Sequence, residues 1–266
     1  VCAIACDISD PQAAQSMFSM MAIHLPPLHG VIHAAAVFED AMVTNTDNDR
    51  MRRVFAPKAL GAWNLHHLSA GLPLDFFVMY SSVTTAFGNP GQGAYVAANA
   101  WLESLALQRR SSGLPALCVR WGPIDDVGYL ARNTVIKEAL QSRTGGKALP
   151  SAVALDLLEE LMITDRSGLC VADLNWRTMA RFLPSASEPK YGDMASAGAD
   201  LDIADEQGED ISRMLRELSP VALSAAFRTM LKSEIGEILR IAPERIDDDG
   251  SVYDLGLDSL MGVELA

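Results

Sequence analysis

Five short apolar runs, most of them followed by a stretch with helical spacing, constrain this chain more than any other feature. They are "VCAIACD" (1–7), "GVIHAAA" (30–36), "DFFVMYSS" (75–82), "ALCVRWG" (116–122) and "GLCVADL" (168–174). A strand with one wet face alternates apolar and polar residues, whereas one covered on both faces reads as an unbroken apolar run. Residues 11–22, 49–70, 91–112 and 151–163 lie between these runs and place apolar side chains at helical intervals. Alternating β and α segments require right-handed crossovers, so the pattern predicts an α/β fold with a doubly wound parallel sheet.

The texture changes near Pro184. Residues 184–216 read as a flexible linker, with seven acids and no base between Gly192 and Asp210. Such a stretch cannot bury enough apolar surface to order itself. Residues 217–266 form a third piece, opened by "LSAAFRTMLKSEIGEILRI" (223–241), which has helical periodicity, and ending in a second helix start, "SLMGVELA". Fifty residues with so few helices make a poor autonomous core. With no initial methionine either, the chain reads as a piece of something longer.

Charge and composition exclude some functions. A net charge of −13 argues against nucleic-acid binding, which needs clustered Lys and Arg. No apolar run approaches the roughly 18–20 residues of a membrane span. Cys2, Cys6, Cys118 and Cys170 sit in apolar runs without metal-ligand spacing. They are expected as buried, reduced thiols in a cytoplasmic protein, with no metal site.

The chemistry concentrates in "YSSVTTAFGNPGQGAYVAANA" (80–100). Ser82 ends a predicted strand, where open α/β sheets bind ligands. Tyr95 and Asn99 lie one turn apart on the next helix and share a face. Each residue alone is better explained by packing or capping, but together they suit proton donation to a substrate oxygen. A tyrosine with pKa about 10 is a reluctant acid unless a cation favours its phenolate. This stretch holds no Lys or Arg, and the nearest upstream candidate is Lys58 in "VFAPKALGAWNLHHL".

The set Lys58, Ser82, Tyr95 and Asn99 resembles the ketoreductase domains of modular polyketide synthases and multifunctional fatty acid synthases. In that family the lysine lies 24 residues before the catalytic serine and the tyrosine 13 after it, as here. Ordinary short-chain dehydrogenases place lysine where this chain has Asn99. The resemblance implies a Rossmann-like sheet of the short-chain dehydrogenase/reductase type, without its N-terminal βαβ part. It also implies NADPH and reduction of a carrier-tethered 3-oxoacyl thioester. By the same resemblance Asp7 faces the adenine, His33, Ala34 and Ala35 line the nicotinamide ribose, and Tyr95 and Lys58 also touch the cofactor. "VRWGPIDDVGYLARN" is similar to the family's last strand end and lid, with the lid over 125–145. "GNPGQG" (88–93) mimics a phosphate loop but has the wrong glycine order, and reads as a substrate-side turn containing Gln92. Phe38-Glu39-Asp40 is similar to the Leu-Asp-Asp motif of (3R)-producing members. Phe87 stands where (3S)-producing members carry tryptophan, so the resemblance implies the (3R) product, guided by Asp40.

A second resemblance lies in "DLGLDSL" (254–260), similar to the attachment motif of acyl carrier proteins. It implies that Ser259 takes a 4′-phosphopantetheine arm from coenzyme A through a phosphopantetheinyl transferase. By itself Ser259 is equally readable as a helix cap. The partners implied are the acyl chain on the arm and other domains of one large homodimeric synthase. Two alternatives stand beside this reading: a silent reductase scaffold with only the carrier functional, and a free-standing short-chain dehydrogenase. The lost Tyr or Lys typical of silent domains is not seen, and Asn99 with the carrier motif disfavours the second.

Overall fold

The computed structural model describes residues 1–134, 136–137, 140–141, 145–176, 178–179, 188–192, 194, 219–239 and 245–248. The chain divides into two compact units, Val1–Met179 and Ala180–Ala266. In the first, strands β1 (Gly30–His33), β2 (Phe76–Ser82), β3 (Leu117–Trp121) and β4 (Cys170–Val171) form one parallel sheet in chain order. This is the Rossmann-like arrangement that the alternating pattern predicts.

Helices cover both faces of the sheet. On one face, α3 (Gly61–Ser69) and α5 (Gly93–Ser111) place Ala62, Leu65, Leu102, Leu105 and Ala106 against Val31, Phe77, Met79 and Cys118. On the other, Ala154, Leu158 and Leu161 of α7 (Ser151–Ile163) meet Val78, Leu117, Val119 and Trp121. Phe77, Val78 and Met79 are all buried because successive strand residues point to opposite, equally covered faces. Helix α1 (Pro11–His24) starts at Asp10, whose carboxylate accepts from Gln12 and Ala13 N–H, with Pro at the first turn.

Three expectations need correction. Residues 1–7 form no strand, since no described segment pairs with them; Ile8 is instead tied to α3 through Asn64 Nδ2, which donates to its carbonyl at 2.8 Å. The cysteines are not four core thiols. Only Cys118 is buried, Cys6 is half-buried, and Cys2 and Cys170 are exposed. Cys170 lies in a two-residue edge strand whose neighbour Val171 takes the inward position on α7's side.

The helix expected over 49–70 is also not uniform. Helix α2 (Asn48–Phe55) runs into a π turn, Ala56–Leu60, before α3 resumes. Pro57 has no N–H, so one helical bond must be lost there, and widening the turn absorbs the defect. That turn contains Lys58.

Strand β3 ends at Trp121, as "WGP" suggests, and a short helix α6 (Gly128–Ala131) follows within the expected lid. Gly145 and Gly146 close its far end tightly: a Cβ on Gly146 would lie 1.9 Å from the Asp173 carbonyl oxygen. In the second unit, α8 (Pro220–Leu239) forms where helical periodicity is read, and Arg228 and Lys232 both bond Asp248, at 2.8 and 2.5 Å. Ser259 and its motif lie outside the described residues, as does most of 184–216. Among the described residues, no helix is long and apolar enough to cross a membrane, and no acidic, His or Cys cluster could hold a metal ion.

Candidate active site

Ser82, Lys58, Tyr95 and Asn99 come from three different elements and meet at the C-terminal end of β2. Ser82 is the last residue of that strand and is 7% exposed. Its Oγ accepts a hydrogen bond from Thr84 Oγ1 at 3.0 Å, the residue that opens the short helix α4 (Thr84–Phe87). Tyr95 and Asn99 lie on the first turns of α5, and Asn99 is completely buried. Asn99 Nδ2 donates to the Tyr95 carbonyl at 2.8 Å, while its Oδ1 is buried without a hydrogen-bond partner among the described residues. An unsatisfied buried carbonyl oxygen is costly and marks a place prepared for a donor.

Lys58 is 3% exposed, yet it reaches the same spot. Its Nζ donates to the Tyr80 carbonyl of β2 at 2.8 Å and lies 5.4 Å from the centre of the Tyr95 ring. The cation that the Tyr95 helix lacks is thus supplied by the π turn.

Burial sets the electrostatics. It raises the Tyr95 phenol above its ordinary value, opposed by hydrogen bonding with Asn99 and Ser82. It pushes the Lys58 ammonium down to about 8, with the Cys118 thiol pulling slightly the other way. An unfolded lysine titrates at 10.5, so between pH 8 and 10.5 the unfolded chain binds more protons than the native one. Stability from this group therefore rises with pH across that window and is lowest below pH 8. In denaturant titrations of the intact protein, Lys58→Met should flatten this rise, removing a contribution on the order of 3 kcal/mol at most. Parallel pH profiles for the two proteins would show that Lys58 is not a desolvated ammonium.

The residues expected on the cofactor side divide. Asp7 is exposed and accepts from Ser9 N and Oγ at 2.9 and 2.7 Å, which lowers its pKa. Ala34 is exposed and Ala35 half-buried beyond the end of β1, so side chains no larger than a methyl leave that strand end open. A flat ligand fits such a cradle. His33 behaves differently. Its ring is 2% exposed and turned inward, with Nε2 3.0 Å from the Lys58 carbonyl oxygen.

Phe38, Glu39 and Asp40 fasten the loop after β1 in three directions. Phe38 lies between Tyr95 and the lid's Tyr129, with ring centres 4.8 and 4.4 Å away. Glu39 accepts two bonds from Arg53 of α2, at 2.6 and 2.9 Å. Asp40 accepts from Gln92 Nε2 at 3.2 and 3.0 Å, and Asn89 Nδ2 in turn holds Gln92 Oε1 at 3.0 Å. The "GNPGQG" stretch is a turn leading into α5, with Gly88 and Gly91 at φ 81° and 79°. Phe87 is 7% exposed and meets Trp176 edge to face, with ring centres 6.4 Å apart. The Phe38–Tyr129 stack and the inward turn of His33 are not legible from sequence. Aromatic residues near 38 and 129 are the only available signal for the stack.

This fold is of the Rossmann-like class, with a serine, a tyrosine and a buried lysine gathered at one strand end. Residues 1–126 match the KR domain family, and residues 230–266 match the phosphopantetheine attachment site family. It is 34% identical over 269 residues to mycoketide-CoA synthase of Mycobacterium tuberculosis, covering 98% of this chain and 6% of that protein. It is 33% identical over 268 residues to polyketide synthase GfsA of Streptomyces halstedii, covering 98% and 4%. The chain thus spans a small fraction of the relatives it matches. Among solved structures, an A1-type ketoreductase aligns with TM-score 0.65 at 29% identity, covering 74% of this chain and 41% of that one. The first-module ketoreductase of phoslactomycin biosynthesis in Streptomyces sp. HK803 aligns with TM-score 0.64 at 32% identity, covering 71% and 43%. The KR domain implies a nicotinamide cofactor, and the second family implies phosphopantetheine.

Proposed function

We propose that this chain reduces a 3-oxoacyl thioester, carried on a phosphopantetheine arm, to the 3-hydroxyacyl thioester, with NADPH as reductant. The convergence of buried Lys58 on Tyr95 and Ser82 at one strand end carries this reading. A bound reduced nicotinamide supplies the hydride. Ser82 Oγ donates a hydrogen bond to the substrate carbonyl oxygen and fixes its position beside the phenol. As negative charge develops on that oxygen, Tyr95 gives up its proton to it, leaving a phenolate. The Lys58 ammonium stabilises that phenolate, and the Asn99 Oδ1 accepts from the lysine or from a water that returns the proton. Asp7, Ala34 and Ala35 hold the cofactor side. The intact pairing of Lys58 with Tyr95 argues against a silent scaffold. The reductase works within one large homodimeric synthase, beside other domains of the same chain.

The product is assigned as (3R). Asp40, held by Gln92, which Asn89 fixes in turn, presents its carboxylate at the site, while Phe87 is turned into the interior. An approach guided by Asp40 fixes which carbonyl face meets the hydride. Chiral analysis of the thioester released by the full-length synthase should find the (3R) alcohol in excess with NADPH. A predominantly (3S) product would overturn the role of Asp40, and faster turnover with NADH would overturn the cofactor.

A further inference from the structure

We infer that His33 is a positioning residue, which locks the π turn that aims Lys58 by donating a hydrogen bond from its Nε2 to the Lys58 carbonyl. This inference rests on the role proposed above for Lys58. His33 is the last residue of β1, 2% exposed, with Nε2 3.0 Å from that carbonyl oxygen. A carbonyl only accepts, so Nε2 carries the hydrogen. Burial keeps the ring neutral, pushing the histidine down to about 4.

The turn needs such a lock. Its widened register leaves the Gly61 N–H shared between the Ala56 and Lys58 carbonyls. A π turn held only by its own backbone relaxes readily toward α, and that would rotate Lys58 around the helix axis. His33 prevents the rotation from the sheet, which is the rigid element here. The fit is close: a Cβ on Gly61 would lie 2.9 Å from Ile8 Cδ1 and 3.4 Å from His33 Cε1. The lysine is thereby tied at both ends, its carbonyl to β1 through His33 and its Nζ to β2 through the Tyr80 carbonyl.

Two amide substitutions separate this from a role in general packing. In His33→Gln the side-chain nitrogen falls near the position of Nε2 and can still donate, whereas in His33→Asn it falls nearer Nδ1 and stops short. Assayed in the full-length synthase, His33→Asn should lower kcat on the order of 10- to 100-fold with KM for the thioester unchanged. His33→Gln should recover most of that loss. Titration of NADPH should give the same affinity in all three proteins, where a direct cofactor contact would weaken it. In a Lys58→Ala background, His33→Asn should cost nothing further, because residues acting through one group are not additive. Equal kcat in the Gln and Asn variants, a matching loss of cofactor affinity, or full additivity with Lys58→Ala would each overturn the inference while leaving the ketoreductase reading intact. Full activity of Lys58→Ala alone would instead overturn the role of Lys58, and that of His33 with it.

Discussion

Tyr95→Phe in the full-length parent should lower ketone reduction on the order of 10²- to 10⁴-fold and leave cofactor affinity unchanged, the range expected when a general acid is removed. The substitution deletes one hydroxyl and preserves the ring, which matters because Phe38 lies against that ring, 4.8 Å between centres. Packing of the lid's Tyr129 on Phe38 therefore survives, and the loss reports on proton donation alone. Burial raises the phenol's pKa, so Tyr95 holds its proton before each turnover, and making it a better acid falls to the Lys58 ammonium. Near-wild-type turnover in Tyr95→Phe would remove it from the mechanism.

Ser259→Ala should abolish attachment of the arm outright. The serine hydroxyl attacks the pantetheine-side phosphorus of the coenzyme A diphosphate, forming a phosphate ester and releasing adenosine 3′,5′-bisphosphate, and alanine has no oxygen to do so. Residues 230–266 match the phosphopantetheine attachment site family, and "GLDSL" holds the serine proposed to take the arm within that stretch. Incubating the intact synthase with coenzyme A and a phosphopantetheinyl transferase, then digesting it, should yield one modified peptide spanning Ser259. The Ser259→Ala protein should yield that peptide unmodified. An arm found on another residue of this segment would reduce the motif to a helix cap.

How much is legible depends on where the information resides. The sheet can be read because strands covered on both faces must be apolar throughout, and "DFFVMYSS" is a strand with Phe77, Val78 and Met79 buried. "VCAIACD" obeys the same rule yet forms no strand and buries none of its residues, because an apolar run names no pairing partner. Spacing brings Tyr95 and Asn99 together, since four residues on one helix is a local fact. Lys58 comes into view only through family spacing, because its approach depends on a nonlocal packing of α2 and the π turn against the sheet. Pro57 inside a helical pattern foreshadows the turn itself, but a proline there is equally compatible with a kink. His33 reads as a ribose-side residue from its place at a strand end. Which way a strand-end side chain turns is decided by its neighbours, here Gly61, which leaves room, and the Lys58 carbonyl, which accepts its hydrogen bond. The Phe38–Tyr129 stack joins segments 91 residues apart and has no local signature.

The most direct measurement follows the acyl group itself. A 3-oxoacyl chain loaded onto the phosphopantetheine arm of the full-length synthase is mixed with NADPH for a single turnover, and the arm is then ejected and weighed. The wild type should show the arm-bound chain gaining two hydrogens, the hydride at C3 and the proton on oxygen, and Tyr95→Phe should retain the ketone over the same interval. An unchanged 3-oxoacyl chain on the wild-type arm, or equally fast reduction in both proteins, would contradict the assignment of this site as the reductase.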